Sequence, residues 1–86
     1  MSYAVRLHPQ VDRFLRSCEK GLGRRIRRKL RMVAEEPHIY LERLSGQDFY
    51  KLRVGDYRAL IDVDEGRKTV FVRYIDHRKR VYQRHP

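Results

Sequence analysis

The sequence is poor in the residues and segments that define several common protein classes. Its 86 residues include one cysteine, no tryptophan, three prolines and five glycines. With Cys18 alone, an intrachain disulfide and a cysteine metal cluster are both excluded, which is typical of a reducing compartment. No apolar run approaches the ~18 residues of a membrane span, and Met1–Gln10 lacks an apolar signal segment. We therefore predict one domain over residues 1–86, cytoplasmic and without membrane contact.

Acidic residues are also scarce. Eleven Asp and Glu stand against 21 Lys and Arg, giving a net charge of +10 and a pI near 10.4. A field of this sign attracts polyanions such as nucleic acid. The alternative is a surface selected only for solubility, although a net charge of about 2–8 already serves a small domain.

Motifs for metals and phosphate loops are absent from the sequence. The four histidines, His8, His38, His77 and His85, lack metal-ligand spacing. There is no HExxH sequence and no glycine-rich phosphate loop. We predict neither a metal site nor a cofactor.

The first half of the chain has one strand pattern and two helix patterns. Alternation predicts a strand over Tyr3–Leu7, and His8-Pro9 then starts a helix. Apolar residues continue at helical spacing to Leu22, and Gly21 with Gly23 is expected to end this helix. A second helix is predicted from about Arg24 to the residues before Pro37.

The second half changes to a period of two. Strands are predicted over Phe49–Val54, Tyr57–Val63 and Thr69–Ile75. Between the first two, Gly55-Asp56 predicts a two-residue type II′ turn. The order β-α-α-β-β-β predicts an α+β fold, an antiparallel sheet with the N-terminal helical hairpin packed on one face.

The Gly55-Asp56 turn fixes the register of the predicted hairpin. It pairs Arg53 with Arg58 and places both, with Lys51, on the face opposite the apolar residues. Like charges directly opposed across strands are destabilising, which favours a missing polyanion as the explanation. Two alternatives remain: the side chains splay into solvent, or Asp62 and Asp76 neutralise them. The opposite, mostly apolar face carries Tyr50, Leu52, Val54, Tyr57, Ala59, Ile61 and Val63.

The end of the chain adds cations and two titratable groups. Cleavage of RNA without a metal needs a base for the 2′-OH, cations for the phosphate and an acid for the leaving oxygen. Lys51, His77 and Tyr82 are the candidates for proton transfer, and arginines are suited to clamp phosphate. A histidine in a basic tail is more often a simple surface residue. The basic residues of this tail are Arg78, Lys79 and Arg80.

A second basic run lies on the second predicted helix. It includes Arg24, Arg25, Arg28 and Arg31. This run is interpreted either as a solvated helix face or as a docking surface for RNA backbone, which would be salt-sensitive.

Three strings of the sequence together resemble the RelE/ParE toxin superfamily. They are Leu44-Ser45-Gly46, the segment YKLRVGDYR over residues 50–58, and HRKRVY over residues 77–82. With the element order, the resemblance covers nearly the whole chain. It implies the RelE-like fold, which is similar to microbial ribonucleases. The RelE branch implies a type II toxin that cleaves messenger RNA in the ribosomal A site by 2′-OH attack, with no metal.

The resemblance also implies roles for individual residues. Lys51 and Arg53 match the two basic positions of the strand before the turn, and Arg58 matches a phosphate clamp. Arg78 matches a contact to the transition state or leaving group, and Tyr82 matches a residue that orients or deprotonates the nucleophile. Because an arginine does not deprotonate, Arg53 is not expected to act as a base.

Partners follow from the same resemblance. It implies a cognate antitoxin that covers the active face, the ribosomal 30S A site with its mRNA, and operator DNA only through the antitoxin. The ParE branch instead poisons DNA gyrase. Two further alternatives are a non-catalytic nucleic-acid-binding module and a protein-binding domain that captures an acidic peptide. Lys51, Arg58, Arg78 and Tyr82 together favour the RelE branch.

Overall fold

Residues 2–44, 46 and 49–80 are described by a computed structural model. The helices are α1 (Pro9–Ser17), α2 (Lys20–Glu35) and α3 (Pro37–Tyr40), and the strands are β1 (Ala4–Leu7), β2 (Glu42–Arg43), β3 (Tyr50–Val54), β4 (Tyr57–Asp64) and β5 (Thr69–His77). The predicted α+β fold and the order of its main elements are confirmed.

The five strands form one sheet in the order β1-β5-β4-β3-β2. The β2–β3, β3–β4 and β4–β5 pairs are antiparallel, the last two as predicted. The prediction was wrong for β1, which runs parallel to β5. A parallel pair needs a long crossover between its strands, and the helices together with β2–β4 provide one here.

The hydrophobic core lies between the helices and one face of the sheet. Helix α1 packs against β1 and β5, and α2 packs against β1 and β3. Alternation along the strands sends every second side chain into this layer. The buried core residues are Val11, Leu15, Ile26, Leu30, Val33, Leu41, Leu52, Val54, Ala59, Ile61, Val70, Val72 and Ile75.

The break between the two long helices lies earlier than the sequence predicted. Helix α1 ends at Ser17, so Gly21 and Gly23 lie inside α2 and do not end α1. The Glu19 carboxylate caps α2 by accepting hydrogen bonds from the N–H groups of Gly21 and Leu22, at 2.7 and 3.2 Å. Gly23 is buried, and a Cβ there would lie 3.4 Å from Cys18 Sγ. Its glycine therefore serves close packing of α2 on the end of α1.

The sheet surface opposite the helices is called the outer face below. Strand β5 contains one extra residue, Arg73, because Leu60 pairs with Tyr74 while Ile61 pairs with Val72. This bulge keeps Val72 and Ile75 in the core and turns both Arg73 and Tyr74 to the outer face. The strand residues that define the outer face are Arg6, Lys51, Arg53, Arg58, Leu60, Asp62, Phe71, Arg73, Tyr74 and Asp76.

The β3–β4 turn has the predicted type. Gly55 has φ +58°, whereas Lys68 is the one non-glycine residue with positive φ in the part of the chain that the structure describes. A positive φ at the first turn position alone is the property of a type II′ turn. The backbone at Gly55 is also approached closely, since a Cβ there would lie 2.8 Å from an Arg25 guanidinium nitrogen.

Replacing Gly55 with alanine is therefore expected to destabilise the protein by about 1–2 kcal/mol, because an L-residue strains at this φ. Gly66→Ala is the matched control. Its φ is not positive, and its Cβ would make only an ordinary 3.5 Å contact with Asp64. Urea denaturation of both variants checks the expectation, and equal midpoints for the two would contradict it.

Candidate nucleic-acid interface and active site

The β3–β4 hairpin carries the central candidate residues in the predicted register. Arg53 lies directly opposite Arg58, and Lys51 lies opposite Leu60. All three side chains alternate onto the outer face. The structure therefore brings Lys51, Arg53 and Arg58 together.

Arg58 is the one buried charged residue in the part of the chain that the structure describes, with 8% of its surface exposed. One guanidinium nitrogen donates to the backbone carbonyls of Gly55 and Tyr57, at 3.1 and 3.0 Å. These bonds hold the charged group at the hairpin turn without neutralising it. Among residues 2–44, 46 and 49–80, no carboxylate forms an ion pair with Arg58 or with the exposed Arg53.

The two carboxylates considered as neutralising groups are bound to other cations. Asp62 forms its ion pair with Arg73. Asp76 lies opposite Arg58 in the strand register. Its carboxylate instead lies 3.4 Å from Arg80 Nε and accepts the His77 N–H at 2.7 Å and the Tyr74 hydroxyl at 3.2 Å. Neither carboxylate forms an ion pair with Arg53 or Arg58, which supports the polyanion interpretation.

These bonds change the acidity of Asp76. Burial acts to raise its pKa, but the hydrogen bonds from His77 and Tyr74 and the charge of Arg80 together lower the pKa below 3.8. A carboxylate with a depressed folded-state pKa stabilises the fold above its ordinary pKa. That stabilisation is lost as the pH falls through the folded-state value.

We expect Asp76→Asn to remove this component of the pH dependence. The wild-type free energy of unfolding should decrease as the pH falls below 3.8, the ordinary pKa of the group, and the decrease should be smaller in the variant. Urea unfolding over a series of acidic pH values measures both slopes. Identical slopes would show that Asp76 is not linked to folding.

Lys51 has a partner that sequence reasoning missed. Strand β2 places Glu42 opposite Lys51, with their charged groups 3.5 Å apart. Glu42 is 69% exposed, whereas the Lys51 side chain is only 20% exposed. The ion pair orients the ammonium on the outer face, and water at Glu42 screens the attraction.

His77 lies on the other side of the sheet from Arg58. It pairs with Tyr57 in the register, and their rings are 5.5 Å apart at 78°. The Tyr57 ring is in turn 5.5 Å from Phe14 of α1. The structure therefore places His77 with the helices and does not bring it together with Lys51, Arg53 and Arg58.

The basic tail after β5 begins beside the hairpin turn. The Arg78 N–H donates to the Asp56 carbonyl at 2.7 Å, and the Arg80 N–H donates to the His77 carbonyl at 2.8 Å. The side chains of Arg78, Lys79 and Arg80 are exposed next to the turn that holds Arg58. Tyr82, the remaining candidate catalytic residue, lies outside the described residues.

The basic run of α2 meets the hairpin. Arg25 reaches the Gly55 turn, and Arg25, Arg28 and Arg53 together line a cavity of about 410 Å³. An adjoining depression of about 400 Å³ is lined by Gly21, Arg24, Arg25, Arg27, Arg28 and Arg31. None of these arginines has an ion-pair partner within the described ranges. One continuous cationic surface thus runs from α2 around the turn to the outer face.

Both the sequence and the fold of the chain are similar to those of known proteins. A family model described as ParE toxin of the type II toxin–antitoxin system parDE matches residues 5–82. The chain belongs to the RelE/ParE toxin superfamily. No curated protein sequence gives a match.

Solved structures of RelE toxins support the assignment of this toxin to the RelE/ParE superfamily. The archaeal RelE–RelB complex from Pyrococcus horikoshii OT3 is 30% identical with a TM-score of 0.81, covering 93% of this chain and 99% of that one. The isolated RelE toxin of E. coli is 26% identical with a TM-score of 0.78, covering 94% and 92%. The intact E. coli RelBE complex, at 22% identity, TM-score 0.76 and coverage of 88% and 96%, shows the likeness of fold.

Metal binding and membrane insertion each require a recognisable structural feature. Within residues 2–44, 46 and 49–80, no group of three or more His, Cys, Asp or Glu side chains is placed to hold a metal ion. In the same ranges, no helix has the length and apolar character needed to span a membrane.

Proposed function

We propose that this toxin is a cytoplasmic, ribosome-dependent endoribonuclease that cleaves mRNA in the ribosomal A site and so inhibits translation. The observation that carries the proposal is the Arg53–Arg58 pair with Lys51 on the outer face. The pair is fixed in register, and no carboxylate of the described residues forms an ion pair with either arginine. A phosphodiester would supply the missing negative charge. The fold of RelE toxins supports the same assignment.

The proposed reaction is a transesterification within the RNA. The 2′-oxygen forms a bond to the adjacent phosphorus, the bond from phosphorus to the 5′-oxygen breaks, and the products are a 2′,3′-cyclic phosphate and a 5′-hydroxyl. One proton leaves the 2′-OH and another reaches the departing 5′-oxygen. Arg53 and Arg58 stabilise the charge that develops on the phosphoryl oxygens.

Only some of the side chains on this surface can transfer a proton. Arginine does not give up its proton, so neither Arg53 nor Arg58 is the base. Lys51 and Tyr82 are the proposed proton-transfer residues, and Arg78, beside the turn, is the proposed contact to the leaving group. The placement of His77 on the helix side argues against the catalytic role that its sequence position suggested.

The α2 cations are proposed to dock on ribosomal RNA. Arg24, Arg25, Arg28 and Arg31 are exposed and form no ion pair with any described carboxylate, which suits contact with a phosphate backbone. Lys79 and Arg80 extend the surface on the other side of the turn. Binding through such contacts weakens steeply as salt is added.

The regulatory partner is proposed to be a cognate antitoxin. The related P. horikoshii and E. coli structures contain RelE together with RelB. An acidic or amphipathic antitoxin segment over the hairpin would neutralise the same arginines that bind RNA. Contact with operator DNA would then run through the antitoxin.

The proposal is tested with purified toxin in a reconstituted translation reaction, with mRNA ends mapped by primer extension. Cuts within the A-site codon that require ribosomes would support it. Intact mRNA, together with a toxin-dependent loss of DNA gyrase supercoiling activity, would replace it by a gyrase-poisoning function. Salt-sensitive RNA binding without any cut would indicate a non-catalytic module.

For Tyr82, we expect Tyr82→Phe to reduce A-site cleavage strongly, because the variant keeps the ring and loses the ionisable hydroxyl. Tyr3→Phe is the matched control, since the Tyr3 hydroxyl donates to Glu65 at the β4–β5 turn, at the opposite end of β4 from the Gly55-Asp56 turn. Single-turnover cleavage of ribosome-bound mRNA measures both rates. Wild-type rates in Tyr82→Phe would exclude its hydroxyl from the chemistry.

A further inference from the structure

The far end of the outer face holds a second cationic patch, here called the Phe71 patch and defined by Arg6, Phe71 and Arg73. It lines a cavity of about 480 Å³ with residues of the β4–β5 turn. The patch lies near the β4–β5 turn, at the opposite end of β4 from the Gly55-Asp56 turn. Asp62 pairs with Phe71 in the strand register and lies four residues from Arg58 on β4, so Phe71 lies about 13 Å along the sheet from Arg58.

Phe71 is exposed where its neighbours are buried. The residue is 36% exposed, whereas Val70 and Val72 on either side are 0% and 1% exposed. Its ring points to the outer face, and the Arg73 guanidinium lies 5.7 Å from the ring centroid. Core packing does not account for an aromatic ring on this side of the sheet.

The charges around the ring leave a positive balance. Asp62 pairs with Arg73, and Asp64 lies 3.9 Å from Arg67. Arg6 lies opposite Phe71 in the β1–β5 register and has no ion pair within the described residues. Three arginines thus face two aspartates around one exposed ring, and the cation of Arg6 is left over for an external anion.

We propose that the Phe71 patch is a stacking subsite for one base of single-stranded RNA, with Arg6 binding an adjacent phosphate. An aromatic face beside cations is the arrangement that binds unpaired nucleotides. The carboxylates of Asp62 and Asp64 would accept hydrogen bonds from an exocyclic amino group, which favours adenine, cytosine or guanine over uracil.

The subsite rests on the proposed RNA substrate and adds a second contact to it. The distance of ~13 Å between Phe71 and Arg58 corresponds to about four nucleotides at the ~3.4 Å spacing of stacked bases. The same strand of RNA would therefore reach both Arg58 and Phe71 across the outer face. The patch would give the toxin a preference for the base at one position outside the bond that it cuts.

The test compares the wild type with Phe71→Leu, which keeps an apolar side chain and loses the aromatic face. The probe is a fluorescent 2′-O-methyl RNA of about ten nucleotides, which cannot undergo 2′-OH attack, and an abasic strand of equal length. Fluorescence anisotropy should give a dissociation constant about 5- to 150-fold higher for Phe71→Leu with the RNA, the range of one lost stack. The two proteins should bind the abasic strand equally.

Two control variants sharpen the result. Ile39→Ala changes an exposed apolar residue, 69% exposed on α3, and should bind like the wild type. Arg6→Ala should reduce the salt dependence of binding by about 0.7 in the logarithmic slope, whereas Phe71→Leu should leave the slope unchanged. Thermal melting of each variant verifies that the fold is retained.

Equal RNA affinity of Phe71→Leu and the wild type would overturn the proposal. Unchanged RNA affinity with weakened antitoxin binding, or with lost self-association, would assign the patch to a protein partner instead. The outcome is separate from that of the proposed function, because binding is measured without ribosomes or cleavage. RNA binding that depends on the Phe71 ring, in a toxin that cuts no mRNA, would support the subsite and refute the proposed nuclease function.

Discussion

Arg58→Ala is expected to lower ribosome-dependent mRNA cleavage by about 100-fold or more, the usual effect of removing one group that stabilises transition-state charge. The guanidinium is fixed by the carbonyls of Gly55 and Tyr57 and is not neutralised by any described carboxylate. Arg58→Lys should also lose most activity, because a lysine cannot present the same planar fork to the carbonyls and to phosphate. Single-turnover cleavage of ribosome-bound mRNA measures both variants.

The control for Arg58 is Arg13→Ala. Arg13 is exposed on α1, so its removal changes the net charge equally without touching the hairpin. Since Arg58 is buried, thermal melting must show that Arg58→Ala remains folded. A folded Arg58→Ala protein that cleaves at the wild-type rate would refute the role of this guanidinium.

Ile61→Ala is expected to give the largest loss of stability among the substitutions considered, about 2–5 kcal/mol. Ile61 is 0% exposed in the core and pairs with Val72 beside the β5 bulge. Truncation leaves a cavity that the surrounding strands and helices cannot fill. In a domain of this size the melting temperature should fall by roughly 10 °C or more.

The same chemical change on the surface is the control for the core. Ile39→Ala removes the same atoms from a residue that is 69% exposed, and it should change the free energy of unfolding by less than about 0.5 kcal/mol. Calorimetry of both variants gives the comparison. Similar melting temperatures for Ile61→Ala and Ile39→Ala would contradict the described core.

The hairpin was the part of the molecule most readily predicted from the sequence. The two-residue turn Gly55-Asp56 determines which residues face one another, and strict alternation then separates apolar from basic side chains. The Arg53–Arg58 opposition and the turn type followed from these local rules alone. The presence of two helices in the first half followed from the spacing of apolar residues.

Features decided by tertiary contacts were not predictable in the same way. The break between α1 and α2 lies earlier than predicted because Glu19 caps α2. Gly23 serves close packing and does not end α1. Strand β2 has only two residues, too few for a periodic signal, so the Glu42–Lys51 contact was missed. The parallel direction of β1 depends on a pairing with β5 far along the chain.

The cationic residues of the candidate site were predicted from the sequence, but their positions relative to one another were predicted only in part. His77 stands among cations in the sequence, yet alternation from Asp76 turns it to the helix side, where it meets Tyr57. The α2 cations appeared to be a separate feature. Packing of α2 against β3 brings Arg25 and Arg28 beside Arg53, a convergence that no local pattern in the sequence encodes.

The central claim is that the cationic outer face promotes attack by a 2′-hydroxyl on mRNA held in the ribosomal A site. The most direct measurement is cleavage of ribosome-bound mRNAs that carry a single 2′-deoxynucleotide at each position of the A-site codon in turn. We predict a cut in all-ribose mRNA, ending in a 2′,3′-cyclic phosphate and a 5′-hydroxyl. The cut should disappear when the deoxynucleotide lies immediately 5′ of the scissile bond. Cleavage that persists at that bond, or no cleavage of any of these mRNAs, would contradict the account.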